Sequence, residues 1–381
     1  GMAFLAFQSN GHLPVHSSGK TMKILYLSNN RFPTEKAHGL QIAKMCEAFT
    51  AEGAEVLLVA PERRQKAAVG GCSAKEFYGL KNEIVVRRIW NLDFLLSAWV
   101  PRLFAYFLQS FSFALSFALR RWKYKKYTIY SRTFLPLMGY RGRWFFEAHT
   151  FPKSFFGRIA QRIFLGNARG LVCISEALAK KYGAIYKGEI LIAHDGVDLD
   201  LFGKAGGGKG DLVLYTGSPY KEKGVLTLAK ACEKLKGVKC VFVGGNEDEP
   251  EFNKLRGFAK RSVVIPYVRH TEIPKYIAQA ALLVIPNSAR DKAFSEDTSP
   301  LKLFEYMASG KKILASDVPA TRAILDESTA WFFKADDADD LRKKIVEALR
   351  SKEDRGKHAA RLVLKYSWKL RAKAILSFLS T

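Results

Sequence analysis

The sequence predicts an α/β protein made of two Rossmann-like, doubly wound parallel-sheet domains facing a central cleft. Three observations carry this reading. Short apolar runs that end in loops recur with helical segments between them, the rhythm stops at a glycine- and lysine-rich stretch, and it then restarts. A chain of 381 residues is too long for one ordinary core and suits two.

The elements follow in order. Residues 1–21 lack a basic start, a long apolar run or a cleavage site, so they are expected to be a poorly ordered tail and not a signal peptide. Gly1 reads as an appended residue, and the natural start is Met2 or Met22. Residues 22–202 form the first domain. Lys23 to Ser28 is a short apolar strand, a helix runs from about Gly39 to Glu52, and Glu55 to Ala60 is the next strand. The unit recurs at Leu171 to Ile174 and Ile190 to Ala193. Residues 203–210, almost purely glycine and lysine, are expected to be the flexible linker. Residues 211–365 form the second domain, with strands at Leu212 to Thr216, Cys240 to Val243, Ser262 to Ile265, Leu282 to Ile285 and Lys312 to Ala315. In open sheets of this kind ligands sit at the carboxyl ends of the strands, so the site is expected there.

One region departs from the α/β rhythm. Residues 103–119 carry no charge and include Phe104, Phe107, Phe111, Phe113 and Phe117, with Gln109, Ser112 and Ser116 as a narrow polar stripe. Such a helix is either buried in the protein or facing lipid. A basic–aromatic cluster from Arg120 to Tyr127 follows, a composition suited to a headgroup layer, so 92–127 is marked as a membrane-facing region. The run is too short and polar to span a bilayer. The net charge of +25 attracts phosphate-bearing partners, whether nucleic acid, anionic lipid or nucleotide. No nucleic-acid-binding motif accompanies it, so no nucleic acid is expected. The five cysteines are scattered without paired spacing, which excludes a disulfide framework and a zinc site and implies a reducing, cytoplasmic setting.

The strongest chemical signal is Asp297-Thr-Ser-Pro-Leu-Lys-Leu-Phe-Glu305, followed by Tyr-Met-Ala-Ser-Gly310. Ser299 suits an N-cap, Pro300 a first helical position and Gly310 the helix end. The helix start, with donors at Ser299 and Leu301, makes an anion site suited to a diphosphate. Asp297 and Glu305 would repel a phosphate, so they are placed on sugar and ribose hydroxyls. Alternatively the segment is only a capped surface helix.

The motif resembles that of the family-four (group 1) retaining glycosyltransferases of GT-B fold. Their donor motif has two acidic residues separated by seven others, and Asp297 and Glu305 fall on them. The resemblance implies that the first contacts the transferred sugar and the second the ribose. Gly217-Ser-Pro-Tyr-Lys-Glu-Lys-Gly224 resembles the family's phosphate loop and implies donor contacts at Gly217, Ser218 and Lys221, with Lys223 on the diphosphate. Thr298 falls within the same donor motif. Ile174-Ser-Glu-Ala-Leu, Asp195-Gly-Val-Asp198 with Phe202, and Tyr366-Ser-Trp368 resemble other family segments. The last implies that 366–381 crosses back onto the first domain. Two positions depart from the pattern. Ser218 stands where many members carry Arg, a missing positive charge that Lys221 is expected to supply, and Asp297 stands where Glu is usual.

In the first domain, Trp144 to His149 ends an apolar strand in a histidine. His149 is either a satisfied structural residue or, as the resemblance implies, an active-site residue. Glu147, on the same strand face, is expected to hold the acceptor. Gly39 matches the second glycine of the family's Gly-Gly pair and is placed on the donor, while His38 replaces the first. His38 is either a solvated loop residue or an acceptor contact, and Arg132 either steers an anionic acceptor or is a surface charge. The resemblance implies a retaining transfer from a UDP- or GDP-linked sugar, with no cofactor and no metal. The acceptor expected is lipid-linked or polysaccharide, reached from the inner face of the membrane. The alternatives are a sugar-nucleotide epimerase of the same architecture and a non-enzymatic basic membrane or nucleic-acid binding module.

Overall fold

The computed structural model describes residues 4–6, 21–65, 69–94, 99–203 and 210–381. Two compact units result. One ends at His194 and takes up Trp368–Thr381 again; the other is Asp195–Ser367. Most of the expected tail, residues 95–98 of the membrane-facing region and the glycine-rich stretch at 204–209 lie outside the described residues.

Among the described residues the first unit has eight strands: β1 (Phe4–Ala6), β2 (Lys23–Leu27), β3 (Glu55–Pro61), β4 (Val85–Ile89), β5 (Thr128–Ser131), β6 (Trp144–Ala148), β7 (Gly170–Cys173) and β8 (Glu189–Ile192). Their order is β1-β8-β7-β6-β5-β2-β3-β4 and every pairing is parallel. In β2, β3, β6 and β7 nearly every residue is buried, as expected of strands covered on both faces by crossover helices. The strand β1 lies within the segment expected to be a disordered tail. It pairs with β8, whose edge would otherwise expose a row of unpaired backbone groups.

The second unit carries β9 (Leu212–Thr216), β10 (Lys239–Val243), β11 (Val263–Ile265), β12 (Leu282–Ile285), β13 (Lys312–Ser316) and β14 (Trp331–Phe333). Their order is β11-β10-β9-β12-β13-β14, again all parallel. Alternate residues feed two cores. Leu214, Val243 and Ile285 pack with Leu303 and Phe304 on one face, while Tyr215, Phe242 and Val284 pack with Leu228 and Leu341 on the other. Strand order reverses between β5 and β2 in one unit and between β9 and β12 in the other, and at such switch points the loops part to leave a crevice.

The boundary between the units falls at His194, ahead of the glycine-rich stretch expected to mark it. Residues 195–202 belong to the second unit because their bonds are there. The Asp195 N–H donates to Ser299 Oγ at 3.1 Å, Val197 bridges to Ser367, and Leu199, Leu201 and Phe202 join the second unit's core. The C-terminal helix Trp368–Ser380 packs on the Ala37–Ala51 helix of the first unit, with the Phe378 ring 5.4 Å from that of Phe145.

The helix Arg102–Ala118 is inverted relative to an ordinary surface helix. Its polar stripe faces inward beside Phe113 and Phe117, while Phe104, Phe107 and Phe111 face out. Gln109, Ser112 and Ser116 are buried, with the Gln109 amide donating to Asn29 Oδ1 at 2.8 Å and Ser112 Oγ accepting from the Leu92 N–H at 2.9 Å. Phe104, Phe107 and Phe111 are each more than half exposed, Phe107 at 63%. Beyond the helix, Trp122 is exposed next to Arg121 and Lys123 in sequence, and Phe155, Phe156 and Ile163 are exposed on the Phe155–Leu165 helix, which also carries Arg158 and Arg162. Burying polar groups while leaving rings in solvent is unfavourable for a chain surrounded only by water, and a large exposed apolar patch marks an interaction surface.

Candidate functional site

In the second unit the crevice at the β9–β12 switch is built from three loops. The chain leaves β9 at Gly217 and Ser218, whose carbonyl accepts from Tyr215 Oη at 3.0 Å, and turns through Lys221–Lys223 to Gly224. Gly224 has φ +61°, and a Cβ there would lie 1.8 Å from the Pro286 carbonyl oxygen, so no other residue fits. The loop after β12 is tied to this turn by the Ser288 N–H, which donates to the Glu222 carbonyl at 2.9 Å.

The acidic motif follows on two helices. A short helix, Lys292–Asp297, is capped by Asp291, which accepts from the Phe294 N–H at 3.1 Å. Asp297 therefore ends a helix. The next helix, Leu301–Ala308, has Pro300 and not Ser299 at its N-cap. Ser299 is committed elsewhere, because its hydroxyl accepts from Asp195. The Leu303 N–H donates to the Pro300 carbonyl at 2.9 Å, and with no side-chain cap the Leu301 and Lys302 N–H groups at the helix start are placed to meet a ligand. Thr298 Oγ1 donates to the Phe294 carbonyl at 2.9 Å, holding the turn between the helices.

The motif and the lysine loop meet. Lys223 Nζ lies 4.8 Å over the Phe294 ring, and Tyr306 Oη accepts from the Thr216 N–H at 2.8 Å. Burial lowers Lys223 to about 8. Asp297 and Glu305 are both buried, and Glu305 Oε1 lies 2.7 Å from His270 Nε2. His270 itself lies against the Phe202 ring. The structure thus brings Gly217, Ser218, Lys221, Lys223, Asp297, Thr298, Ser299, Leu301 and Glu305 into one region of the second unit.

Two residues there escaped sequence reading, His270 and Lys302. His270 opens a short 3-10 turn, His270–Glu272, that no motif marks. Lys302, in the first turn of the Leu301–Ala308 helix, reads as an ordinary solvated lysine, but it is 8% exposed and its Nζ lies 4.0 Å over the Tyr215 ring.

In the first unit, His38, Gly39, Arg132, Glu147 and His149 also cluster. Arg132 follows β5 and donates to the His38 carbonyl at 3.4 Å and to Gln41 Oε1 at 2.5 Å. Gln41 Nε2 donates to Glu147 Oε1 at 2.7 Å, and His149 Nε2 lies 3.1 Å from the same oxygen. Arg371, from the C-terminal helix, donates to it at 2.7 Å, while Tyr26 Oη donates to Glu147 Oε2 at 2.7 Å. Glu147 has no side-chain exposure, and both oxygens are taken. This corrects the acceptor role expected of it: the carboxylate is a buried hub that orients His149. Burial alone would raise its pKa, but Arg371, His149 and Arg132 outweigh that and hold it well below the usual carboxylate range.

His38 is not the solvated loop residue considered above. It sits in the first turn of the Ala37–Ala51 helix, where burial, with Arg132 and His149 nearby, lowers it to about 3 and keeps the ring neutral. Gly39 has a packing reason of its own. A Cβ there would lie 2.3 Å from Tyr78 Oη, which bridges the Thr34 N–H and carbonyl.

Residues 210–351 match the family model described as Glycosyl transferases group 1. No curated protein sequence matches the chain. Among solved structures, the chain is similar to sucrose-phosphate synthase from Thermosynechococcus elongatus, at 18% identity and TM-score 0.72 over 94% of this chain and 98% of that one. It is similar to a glycosyltransferase from Rickettsia africae ESF-5 at 15% identity and TM-score 0.68, over 94% and 98%. It is also similar to Alr3699/HepE of Anabaena, solved in complex with UDP and glucose, at 14% identity and TM-score 0.68 over 94% and 100%. The fold is that of the GT-B glycosyltransferases.

Proposed function

We propose that this chain, whose second unit matches the group 1 glycosyl transferases, moves a sugar from a UDP- or GDP-linked donor to an acceptor with retention of configuration. The observation that carries the proposal is the junction of the Lys221–Lys223 turn with the paired acidic residues at the β9–β12 switch. In this reading the donor diphosphate lies against Gly217, Lys223 and the start of the Leu301–Ala308 helix. Asp297 holds hydroxyls of the transferred sugar and Glu305 the ribose. The UDP held by the Anabaena protein supports a uridine donor.

The bond between the anomeric carbon and the phosphate oxygen breaks with its electron pair leaving on the diphosphate. The acceptor hydroxyl oxygen bonds to the same face of that carbon, and its proton passes to the departing diphosphate oxygen. Lys223 and the helix N–H groups stabilise the charge that develops there, so we read the reaction as independent of metal and cofactor. On the first unit, His149, oriented by Glu147, is assigned to the transferred sugar, and Arg132 and His38 to the acceptor.

The inverted helix supports an acceptor carried at a membrane. Among the described residues no helix is long and apolar enough to cross a bilayer. The exposed Phe104, Phe107, Phe111 and Trp122 beside Arg120, Arg121 and Lys123 suit shallow insertion among anionic headgroups. We place the enzyme on the inner face of the cell membrane, in lipid-linked glycan, surface polysaccharide or glycolipid synthesis. Changing Phe107, Phe111 and Trp122 together to serine is expected to weaken binding to phosphatidylglycerol-containing vesicles roughly tenfold or more. All three are exposed, so the thermal midpoint should hold. Unchanged sedimentation with vesicles would remove the membrane assignment.

The donor assignment is tested by thermal unfolding against UDP, GDP, ADP and their sugars without metal. One diphosphonucleoside class is expected to raise the midpoint by mass action. Glu305→Ala should weaken that ligand by on the order of tenfold, the loss of hydrogen bonds to a charged group. Equal affinity in the variant would take Glu305 off the ribose.

A further inference from the structure

Lys302 is a buried lysine whose amine the fold leaves without a hydrogen-bond partner. Its Nζ faces the Tyr215 ring at 4.0 Å. A side-chain carbon at Gly217 would begin 3.8 Å from the same nitrogen, so Lys302 points at the first residue of the loop leaving β9. Burial and Lys223 both disfavour its charge, and Glu305, the carboxylate that acts on it, already holds His270.

Holding an ammonium away from water without a partner costs several kcal/mol, and an apolar side chain would pack on Tyr215 without that penalty. A leucine or methionine would serve the core better. A residue kept under such strain is explained by a ligand that supplies the missing charge. The loop beside it carries Ser218, which brings no charge to the phosphate side of the crevice.

We infer that Lys302 is a direct ligand of the donor diphosphate, placed to grip it from the motif helix while Lys223 grips it from the opposite loop. This rests on the donor-site reading of the second unit. Lys302 supplies the positive charge that Ser218 does not, and it does so through a point-like ammonium fixed by the Tyr215 ring. An ammonium placed in this way responds to the number of phosphates and not to the base.

The test is calorimetric titration of the full chain, wild type, Lys302→Met and Lys302→Arg, with UDP, GDP, ADP and their parent nucleosides. The wild type is expected to bind one nucleoside diphosphate. Lys302→Met should weaken that ligand at least tenfold while leaving its parent nucleoside within twofold, and Lys302→Arg should recover part of the loss. Without ligand, Lys302→Met should unfold at the wild-type temperature or above it, because an uncompensated charge has been removed. Undiminished diphosphate binding in Lys302→Met overturns the inference alone. A ligand-free Lys302→Met protein less stable than wild type also overturns it, since the ammonium would then be serving the fold. If the wild type binds none of the diphosphates, the donor-site reading fails and takes the inference with it.

Discussion

Replacing Glu147 with leucine is expected to destabilise the first unit by about 3–5 kcal/mol, the range for removing one partner of a buried ion pair. The loss is large because the carboxylate serves four donors at once. Tyr26, Gln41, Arg371 and His149 all converge on it from separate elements. Arg371 is the group left worst off. Its guanidinium is buried, and besides Glu147 it donates to backbone carbonyls, that of His194 at 2.8 Å and that of Ala193 at 3.4 Å. An isolated charge of this kind costs more than the lost hydrogen bonds. Urea unfolding followed by tryptophan fluorescence measures it, since Trp144 and Trp368 are both buried in this unit. The double variant Glu147→Leu with Arg371→Met should recover most of the loss, because an apolar pair of similar volume removes the stranded charge. A single variant as stable as the wild type would mean that the hub contributes nothing net. His149 gives a second readout. With its partner gone, its ring loses a fixed orientation, so turnover should fall even where the variant is fully folded.

This hub also shows where sequence reading stops. The strand ending in Glu147 and His149 was legible from its apolar run, and so was the proximity of the two side chains on one face. The partners were not. Tyr26 is 121 residues away and Arg371 is 224, and no local pattern joins them. The βαβ rhythm and the acidic motif were legible because both depend on spacing within a few turns of chain. The Arg102–Ala118 helix was half legible. A helical wheel finds the stripe of Gln109, Ser112 and Ser116, but the direction it faces depends on Asn29 and Leu92, which offer polar partners from elsewhere. The boundary between units was misplaced for a related reason. Glycine content marks where a chain bends easily, whereas membership is decided by packing, and Phe202 packs with the second unit's core. Lys302 was hidden between the two acidic residues because lysine in a helix's first turn is ordinarily solvated. Only its place over Tyr215 shows otherwise.

Lys223→Ala is expected to lower kcat by about a hundredfold, the effect of deleting one preorganised donor to a developing anion. The change should appear in kcat more than in KM, since the charge it meets grows as the glycosidic bond breaks. Its environment sets the sign of a pH effect. Burial holds Lys223 at about 8, with Glu222 opposing the shift, and Lys302 shares the crevice. The folded value lies below the ordinary 10.5, so the ligand-free fold binds fewer protons than the unfolded chain between about 8 and 10.5. Stability of the free protein therefore rises with pH across that window, while the ammonium needed by the diphosphate is being lost. Activity and stability should move in opposite directions: kcat/KM falls as pH passes 8, and the ligand-free midpoint does not fall with it. Lys223→Arg separates the two, because a guanidinium stays charged throughout. It should shift the alkaline fall in kcat/KM to higher pH, even if a forked group fits the crevice less well and lowers the plateau. A near-normal kcat in Lys223→Ala would move the phosphate role to Lys221 or to Lys302. An unshifted alkaline limb in Lys223→Arg would assign that titration to another group. Because the opposing trends come from one buried ammonium, either result would also decide how much of this crevice is held in an unfavourable state until the donor arrives.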